Sequence, residues 1–306
     1  MIMIDLFGNE ISSKPLIRDL FIEPPFSVLD SKSGSWVKRK SMWKKLNIKS
    51  EVSRKAVINL KNWSEAYPNA NTGVNYGLGT SIFDPVLCEV LYHWFCEKGC
   101  KILDPFAGGS VRGIVANYLG YNYTGVEIRE EQVIANREQA LDILHLNNQP
   151  QWYLGDSCNV LDGFIKDFDF VFSCPPYGDL ETYSDLDGDI SNMEYSDFLK
   201  YYEIIIKKSC DLLKDDGFAC FVVGNIRDKK GNYRNFVNET IQFFIKSGMV
   251  LYNDAVYLEN GLNTAAMRSK KYMRNLKLVK VHQNILIFKK RGEKIIKTKF
   301  RPKPSS

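Results

Sequence analysis

The sequence predicts an α/β fold built on a mostly parallel sheet, with helices on both faces. From about residue 73, short apolar runs rich in β-branched and aromatic residues alternate with longer stretches whose apolar residues recur at helical spacing. This alternation is typical of βαβ units, in which each helix covers the sheet between two parallel strands. A chain of 306 residues with 44% hydrophobic and 25% charged residues is long enough for one large domain with an appendage, or for two modest domains.

Seven strands are expected, and they lie at 101–107, 122–128, 151–156, 168–176, 217–225, 251–258 and 283–290. Helices are expected at 84–96, 111–119, 129–146, 195–214 and 233–249. Between the last two strands lies only a basic stretch without a predicted helix, 261–282. Because a parallel pair needs a helical crossover, we expect these two strands to pair antiparallel at the edge of the sheet.

The charge is distributed unevenly along the chain. Residues 1–72 contain 12 Lys and Arg against 7 Asp and Glu, residues 73–267 contain 15 against 28, and residues 268–306 contain 14 against 1. Basic ends of this kind are typical of proteins that bind a polyanion such as nucleic acid, although a solvated Lys-rich tail that binds nothing has the same composition. We therefore expect a basic N-terminal arm or accessory region at 1–72, one domain at 73–290, and a basic tail at 291–306.

Two tryptophans interleave with basic residues in the segment WVKRKSMWKKL, which begins at Trp36 and includes Trp43. Such a mixture can contact phosphates and stack on bases. A surface helix with two buried tryptophans explains the same pattern nearly as well.

The seven cysteines form an odd set in a chain whose start carries Asp5 and Glu10 where a secretory signal would be apolar. We therefore expect reduced thiols, a cytoplasmic protein and no membrane span, because no apolar run approaches the roughly 18 residues that a span needs. A zinc site at Cys88, His93, Cys96 and Cys100 is disfavoured, because this segment has the pattern of an apolar helix and the sequence has no second CxxC or HxxxH. No metal is expected.

A glycine loop, DPFAGGS, follows the first predicted strand from Asp104 to Ser110 and leads into a helix. A strand, a glycine turn and a helix N-terminus allow a ligand to approach bare backbone N–H groups. The second strand ends at Glu127, where this kind of fold presents an acid to ribose hydroxyls, and the third ends at Asp156, placed to accept a hydrogen bond from an adenine amino group. Each acid taken singly could also be an ordinary strand-end cap.

The fourth strand ends in SCPPYG, residues 173–178. Pro175 and Pro176 cannot join a hydrogen-bonded ladder, so they fix a stiff, extended backbone at the carboxyl edge of the sheet. Tyr177 follows and could stack on a planar ring. At the crevice beside a ligand loop, this corner is better explained as a binding feature than as a simple loop.

The glycine loop and the segment from Cys174 to Tyr177 together resemble the S-adenosylmethionine (SAM)-dependent DNA amino-methyltransferases of the adenine-N6 or cytosine-N4 type. DPFAGGS resembles the cofactor loop of that family, and CPPY resembles its catalytic tetrapeptide. The segments GTSIFDPVLCEVL and FVVGNIRDKKGNYRNF are similar in sequence to phage-encoded DNA methylases. The resemblance covers roughly residues 20–290. It implies a Rossmann-like class I methyltransferase fold, with 73–290 as the catalytic domain.

The resemblance also implies a role for each matching residue. Methionine contacts are implied for the glycine loop, a ribose contact for Glu127, and adenine contacts for Asp156 and its neighbours. A further cofactor contact is implied at Phe83 and Asp84. The implied cofactor residues are Phe83, Asp104, Phe106, Gly108, Gly109, Glu127 and Asp156, and the implied catalytic residues are Cys174, Pro175, Pro176 and Tyr177.

One position departs from the family pattern. Cys174 stands where the family usually has Asp, Asn or Ser, and a thiol is a poor donor and acceptor. The Pro175 carbonyl would then carry much of the work of orienting an exocyclic amine. A covalent role for Cys174 is disfavoured because cytosine-C5 enzymes place the cysteine after proline.

The implied function is methyl transfer from SAM to adenine N6 or cytosine N4 of DNA. The target base in a duplex must be flipped out, since a pocket at a sheet edge cannot reach into the stack. Two alternatives remain: an RNA amino-methyltransferase acting on guanine N2 or adenine N6, and a catalytically silent nucleic-acid-binding protein of the same fold. The expected setting is the cytoplasm of a bacterial or phage-infected cell.

Overall fold

The computed structural model describes residues 20–48, 83–176, 189–190, 193–228, 230–259 and 262–292. Within these ranges one sheet contains β1 (Val28–Asp30), β2 (Lys101–Asp104), β3 (Asn122–Glu127), β4 (Gln151–Leu154), β5 (Phe168–Ser173), β6 (Leu213–Val223), β7 (Met249–Leu258) and β8 (His282–Lys290). The α-helices are α1 (Gly34–Lys44), α2 (Pro85–Phe95), α3 (Val111–Tyr118), α4 (Glu130–Ile143), α5 (Ser157–Val160), α6 (Tyr195–Leu212), α7 (Phe236–Lys246) and α8 (Leu262–Met273). None of the helices in the described ranges is both long and apolar enough to cross a membrane.

The strands are ordered β1-β7-β8-β6-β5-β2-β3-β4 across the sheet. Every pairing is parallel except the two made by β8, which is antiparallel to β6 and to β7. The chain runs from β2 outward to β4 and then returns to β5 on the other side of β2. The carboxyl ends of β2 and β5 therefore flank the point where the strand order reverses, which is where open α/β sheets bind ligands.

The predicted fold class is confirmed, with three corrections. The sheet has eight strands rather than seven, because Val28–Asp30 pairs with the outer edge of β7. The antiparallel strand lies inside the sheet rather than at its edge, in keeping with the full burial of Ile285–Phe288 on both faces. The basic stretch after β7 contains helix α8, which was not predicted because the stretch was interpreted as a basic connection.

The core lies in two layers, one on each face of the sheet. Phe170 and Phe172 of β5 pack into the layer formed by α1, α2, α3 and α4, whereas Val171 between them packs into the layer formed by α6 and α7. Strands buried on both faces have almost continuous apolar sequences, which explains why the central strands were predictable.

The described part of the N-terminal region, residues 20–48, is built into this sheet and its covering layer. Trp36 and Trp43 on α1 are buried, and Trp43 Nε1 donates a hydrogen bond of 2.8 Å to Glu89 Oε2 on α2. Arg39 donates two hydrogen bonds to the same carboxylate, from Nε at 2.6 Å and from Nη2 at 2.5 Å. The prediction that these tryptophans stack on bases is therefore wrong, and the alternative of a helix with two buried tryptophans is confirmed. The exposed cations on α1 and directly after it are Lys38, Lys44 and Lys45.

Candidate active site

A cavity of about 590 Å³ runs along the carboxyl edge of the sheet and receives residues from the ends of the parallel strands. Its size is within the range of roughly 300–1,000 Å³ found for small-molecule sites. The predicted residues that line it are Phe83, Phe106, Gly108, Gly109, Glu127, Asp156, Cys174, Pro175 and Pro176. Nine of the predicted residues thus lie at one cavity. Tyr177 lies outside the described residues.

Asp104, the remaining predicted residue, lies behind the cavity rather than in its lining. Its carboxylate is fully buried and forms an ion pair of 2.5 Å with Arg112 Nε on α3. Tyr123 and Ser173 donate hydroxyl hydrogen bonds to it at 2.7 and 2.6 Å. Burial of the Arg112 guanidinium would lower its pKa, but the adjacent Asp104 raises that pKa above its ordinary value. The guanidinium therefore stays protonated, and the Asp104 carboxylate joins β2, β3, β5 and α3 at one point.

Arg112 also fixes the backbone of the glycine loop. Its Nη2 donates to the Phe106 and Ala107 carbonyls at 2.6 and 2.9 Å. Gly108 has φ +51°, in the left-handed region, and its carbonyl accepts from Asn136 Nδ2 at 2.8 Å. The loop is therefore held from behind, which leaves its cavity side open to a ligand.

Glu127 at the end of β3 faces the cavity with a nearly buried carboxylate. Its Oε1 accepts from the Arg129 backbone N–H at 3.0 Å and from Arg129 Nε at 3.2 Å. Arg129 also donates to Gln132 at 2.9 Å. Sequence reasoning missed Arg129, which orients the acid that was predicted to bind a ribose.

Asp156 is both a helix cap and a lining residue. Its Oδ1 accepts from the Cys158 backbone N–H at 2.8 Å, so it caps α5 as the alternative interpretation expected. Gly155 before it has φ +144°, and the next residue, Ser157, donates to the Pro105 carbonyl at 2.6 Å. The third strand end is thereby tied to the glycine loop.

The diproline corner follows Ser173 at the end of β5. Ser173 is fully buried and its hydroxyl is directed to Asp104, away from the cavity. Cys174 is half-buried and, with Pro175 and Pro176, forms the cavity wall beside the glycine loop. The corner follows β5 and the glycine loop follows β2, and these two strands pair directly with each other.

The opposite end of the cavity is polar. Asp84 caps α2 through the Val86 backbone N–H at 2.9 Å. Its other oxygen accepts from Tyr257 OH at 2.9 Å, from Lys40 Nζ at 2.8 Å and from Trp36 Nε1 at 3.2 Å. Burial and the neighbouring Asp84 raise the pKa of Tyr257, which keeps its hydroxyl protonated as a donor.

Phe83 beside Asp84 packs edge-on against Phe172, with ring centroids 5.8 Å apart, and the Arg112 guanidinium lies 4.8 Å from its ring centroid. Nearby, Gln283 Nε2 donates to Glu259 Oε2 at 2.8 Å, and both side chains line the cavity. This end was found in part through Phe83 and Asp84. The contributions of Lys40, Tyr257, Glu259 and Gln283 had no signal in the local sequence. In the described part of the chain, no three His, Cys, Asp or Glu side chains gather in a metal-binding arrangement.

Residues 168–305 match the model of the N6_N4_Mtase family, described as DNA methylase. No curated protein matches the chain. Among solved structures, the chain is similar to TrmN from Thermus thermophilus, with 16% identity, a TM-score of 0.46, and 67% of this chain and 48% of that chain covered. The chain thus spans about half the length of TrmN.

Two further similar structures are a methyltransferase of magnesium protoporphyrin IX and a candidate DNA modification methylase. The first, from Synechocystis with bound SAM, has 12% identity and a TM-score of 0.45, with 82% of this chain and 96% of that chain covered. The second, from Thermus thermophilus, has 19% identity and a TM-score of 0.35, with 47% of this chain and 54% of that chain covered. At these identities the likeness concerns the fold alone. Over residues 168–305 the family match confirms the resemblance predicted from the sequence, and with the strand order it agrees with SAM as the cofactor.

Proposed function

We propose that this SAM-dependent methyltransferase modifies the exocyclic amine of a base in DNA, at adenine N6 or cytosine N4. One observation carries the proposal. The glycine loop, through Phe106, Gly108 and Gly109, and the corner Cys174–Pro176 form adjacent walls of a single cavity at the point where the strand order reverses. A donor bound at the loop and a base bound at the corner would therefore meet inside this cavity, with their reacting atoms oriented by the two walls.

The residues that line the β3 and β4 side of the cavity fit the three parts of SAM, its ribose, methionine and adenine. Glu127 lines the cavity, and Arg129 orients its carboxylate through two hydrogen bonds, an arrangement that suits a ribose diol. Gly108 and Gly109 expose backbone, without a Cβ, to the methionine part of the cofactor. Asp156 lies beyond Glu127 on the next strand, where the adenine would lie. SAM, when bound, supplies a methyl group on a sulfonium centre.

Asp104 is proposed to act by positioning the loop rather than by touching SAM. It is fully buried, and four groups of this chain already donate to it: Arg112, Tyr123, Ser173 and the Phe106 backbone N–H. These contacts use the lone pairs of both oxygens. The loop would lose its support without this carboxylate.

The diproline corner is proposed to hold the target amine. Pro175 and Pro176 have no backbone N–H, so the corner presents carbonyl acceptors on a stiff backbone. An amine whose lone pair is delocalised into the ring becomes reactive when acceptors hold its protons and orient it. Ser173 cannot substitute for the missing family acceptor, because it is fully buried and its hydroxyl is directed to Asp104, away from the cavity. The Pro175 carbonyl is therefore the principal acceptor, assisted weakly by Cys174.

Tyr177, which follows the corner in sequence, is proposed to stack on the target base. A base in duplex DNA would reach this cavity only after flipping out of the helix. The basic segments 36–55 and 268–303 are proposed to bind the phosphate backbone. The catalytic domain is proposed to comprise 73–290, and the setting to be the cytoplasm of a bacterial or phage-infected cell.

Tritium transfer from labelled SAM tests the proposal. Unmethylated PCR-amplified bacterial DNA and bulk tRNA are incubated separately with the protein, and labelled DNA is digested to nucleosides for mass spectrometry. We expect label on DNA as N6-methyladenine or N4-methylcytosine, and none on tRNA. Label on tRNA alone would support the RNA alternative, and SAM binding without transfer to either would support a silent nucleic-acid-binding protein.

The Tyr177→Ala variant distinguishes binding of the base from binding of SAM. We expect it to abolish transfer while SAM affinity, measured by calorimetry, stays close to that of the unmodified protein. A comparable loss of SAM affinity would contradict the assignment of Tyr177 to the base.

A further inference from the structure

We infer that Leu276 and Leu278 form an apolar wedge that enters duplex DNA and fills the gap left by a flipped base. The inference rests on the proposed function and adds to it the element that opens the duplex. The wedge lies in the connection between β7 and β8, which begins and ends at the cavity. Glu259 at its start and Gln283 at its end both line the cavity and are hydrogen-bonded to each other at 2.8 Å.

In the segment after α8, apolar side chains are exposed and charged side chains are half-buried. Leu276 is 86% exposed and Leu278 is 74% exposed. By contrast, the lysines beside them are half-buried against the protein. Lys277 lies over Gly231, where a Cβ would collide with its Nζ, and Lys280 Nζ donates to the Asn225 carbonyl at 3.1 Å. A segment that turns its lysines inward and its leucines outward is arranged to be covered by a partner.

The local backbone gives no structural reason for a leucine at position 276. The Lys277 N–H donates to the Tyr272 carbonyl at 3.1 Å and the Leu276 N–H to the Met273 carbonyl at 3.0 Å, which together close helix α8. In this type of helix end the left-handed residue is usually glycine. Here it is Leu276, with φ +51°. A large apolar side chain is thus kept where a glycine would be less strained.

The charge around the wedge identifies nucleic acid as its partner. The connection 262–281 contains six cations and no Asp or Glu, and the cations are Arg268, Lys270, Lys271, Arg274, Lys277 and Lys280. Three of them, Lys270, Lys271 and Arg274, are exposed and match the phosphates on either side of an opened base step, whereas Lys277 and Lys280 are turned toward the protein. Apolar side chains inserted between base steps are a known way for proteins to unstack DNA. The contact of Lys280 with Asn225 places the segment at the carboxyl end of β6, the edge of the sheet where the cavity lies, so the wedge would be near the base that enters the cavity.

The test uses two versions of one duplex that the tritium experiment shows to be methylated. One is fully paired, and the other carries a mismatch at the target base, which lowers the cost of flipping. The test variant is Leu276→Gly with Leu278→Ser. The glycine relieves the left-handed strain, so the variant should fold at least as well as the unmodified protein. The control is Leu146→Ser, which removes a leucine that is 82% exposed and lies before β4, at the opposite edge of the sheet.

We expect the double variant to lose transfer to the paired duplex by roughly tenfold or more, equivalent to about 1.4 kcal/mol. Transfer to the mismatched duplex should stay within about threefold of the unmodified protein, because the mismatch has already weakened the pairing. SAM affinity by calorimetry and transfer by the Leu146→Ser control should not change.

Three results would overturn the wedge while leaving the proposed function intact: no loss on the paired duplex, an equal loss on both duplexes, or sedimentation showing a dimer that the double variant converts to a monomer. The last would make the leucines an interface between two copies of this chain. If the unmodified protein labels no DNA at all, the proposed function fails and the wedge fails with it.

Discussion

Replacing Asp104 by Asn tests whether the buried ion pair behind the cavity supports the glycine loop. The substitution keeps the size of the side chain and retains an acceptor for Ser173 and for the Phe106 N–H. It leaves the Arg112 guanidinium, whose side chain is 6% exposed, without its counter-charge. Removing one partner of a buried ion pair costs about 3–5 kcal/mol. Since a domain is typically stable by about 5–15 kcal/mol, we expect a large fall in the free energy of unfolding.

Urea unfolding of a double-mutant cycle measures this effect. We expect Asp104→Asn and Arg112→Met each to destabilise the protein, and the pair together to cost about 1–3 kcal/mol less than the sum of the two, because the double variant buries no unpaired charge. SAM affinity should fall more in Arg112→Met than in Asp104→Asn. Only Arg112→Met removes the donor to the Phe106 and Ala107 carbonyls. Methyl transfer should be abolished in both.

Two outcomes would refute this reasoning. A cost below about 1 kcal/mol for Asp104→Asn would place the carboxylate in contact with water or with another cation. Additive costs in the cycle would show that Asp104 and Arg112 do not interact. Tyr202→Phe, which removes a buried hydroxyl hydrogen-bonded to Thr240 on the other face of the sheet, is the control for general destabilisation and should leave SAM affinity unchanged.

Three further predictions concern other parts of the site. Gly155→Ala should cost about 1–3 kcal/mol in urea unfolding and weaken SAM binding, because φ is +144° and the new Cβ would lie 2.8 Å from Val160 Cγ2; unchanged stability would contradict it. Cys174→Asn should raise the rate constant of methyl transfer several-fold with little change in SAM affinity, because it restores a strong acceptor; a fall in rate would show that the thiol is needed. Burial lowers the pKa of Lys280 to about 8, from 10.5 in the unfolded chain. Between these two pH values the unfolded chain binds more protons than the folded protein, so the free energy of unfolding should increase as the pH rises. Lys280→Met should remove that gain in urea unfolding at pH 7.5 and 9.5, and an identical gain in both proteins would exclude Lys280 as its source.

The central strands were predictable because burial on both faces leaves a continuous apolar run in the sequence. Phe168–Ser173 and His282–Lys290 were found in this way, with their first residues close to the predicted positions. Val28–Asp30 could not be found, because a three-residue strand has no period and exists only through its pairing with β7. Helix α8 was missed for a different reason. Six of its twelve residues are apolar, but the basic residues of 262–281 led the whole stretch to be interpreted as a connection.

The lining of the site was predictable wherever position along the sheet determined it. Glu127, Asp156 and the diproline corner each follow a strand directly, and parallel strands bring their carboxyl ends to one edge. The supports were not predictable, because their partners are distant in sequence. Ser173 lies 69 residues from Asp104, and Tyr257 lies 173 residues from Asp84. Arg112 alone left a signal, since it is a charge within the apolar helix VRGIVANYL.

The acids around the cavity share an arrangement that bears on catalysis. Glu127, Asp156 and Asp84 each accept hydrogen bonds from their own chain, and each still faces the cavity. A carboxylate held in this way loses little conformational freedom when a ligand arrives, so its orientation is fixed before binding. The same holds for the glycine loop, whose carbonyls are occupied from behind by Arg112. The corner at Cys174 differs, because its strongest acceptors belong to the backbone. Base orientation in this protein therefore depends on the rigidity of Pro175 and Pro176 more than on any side chain.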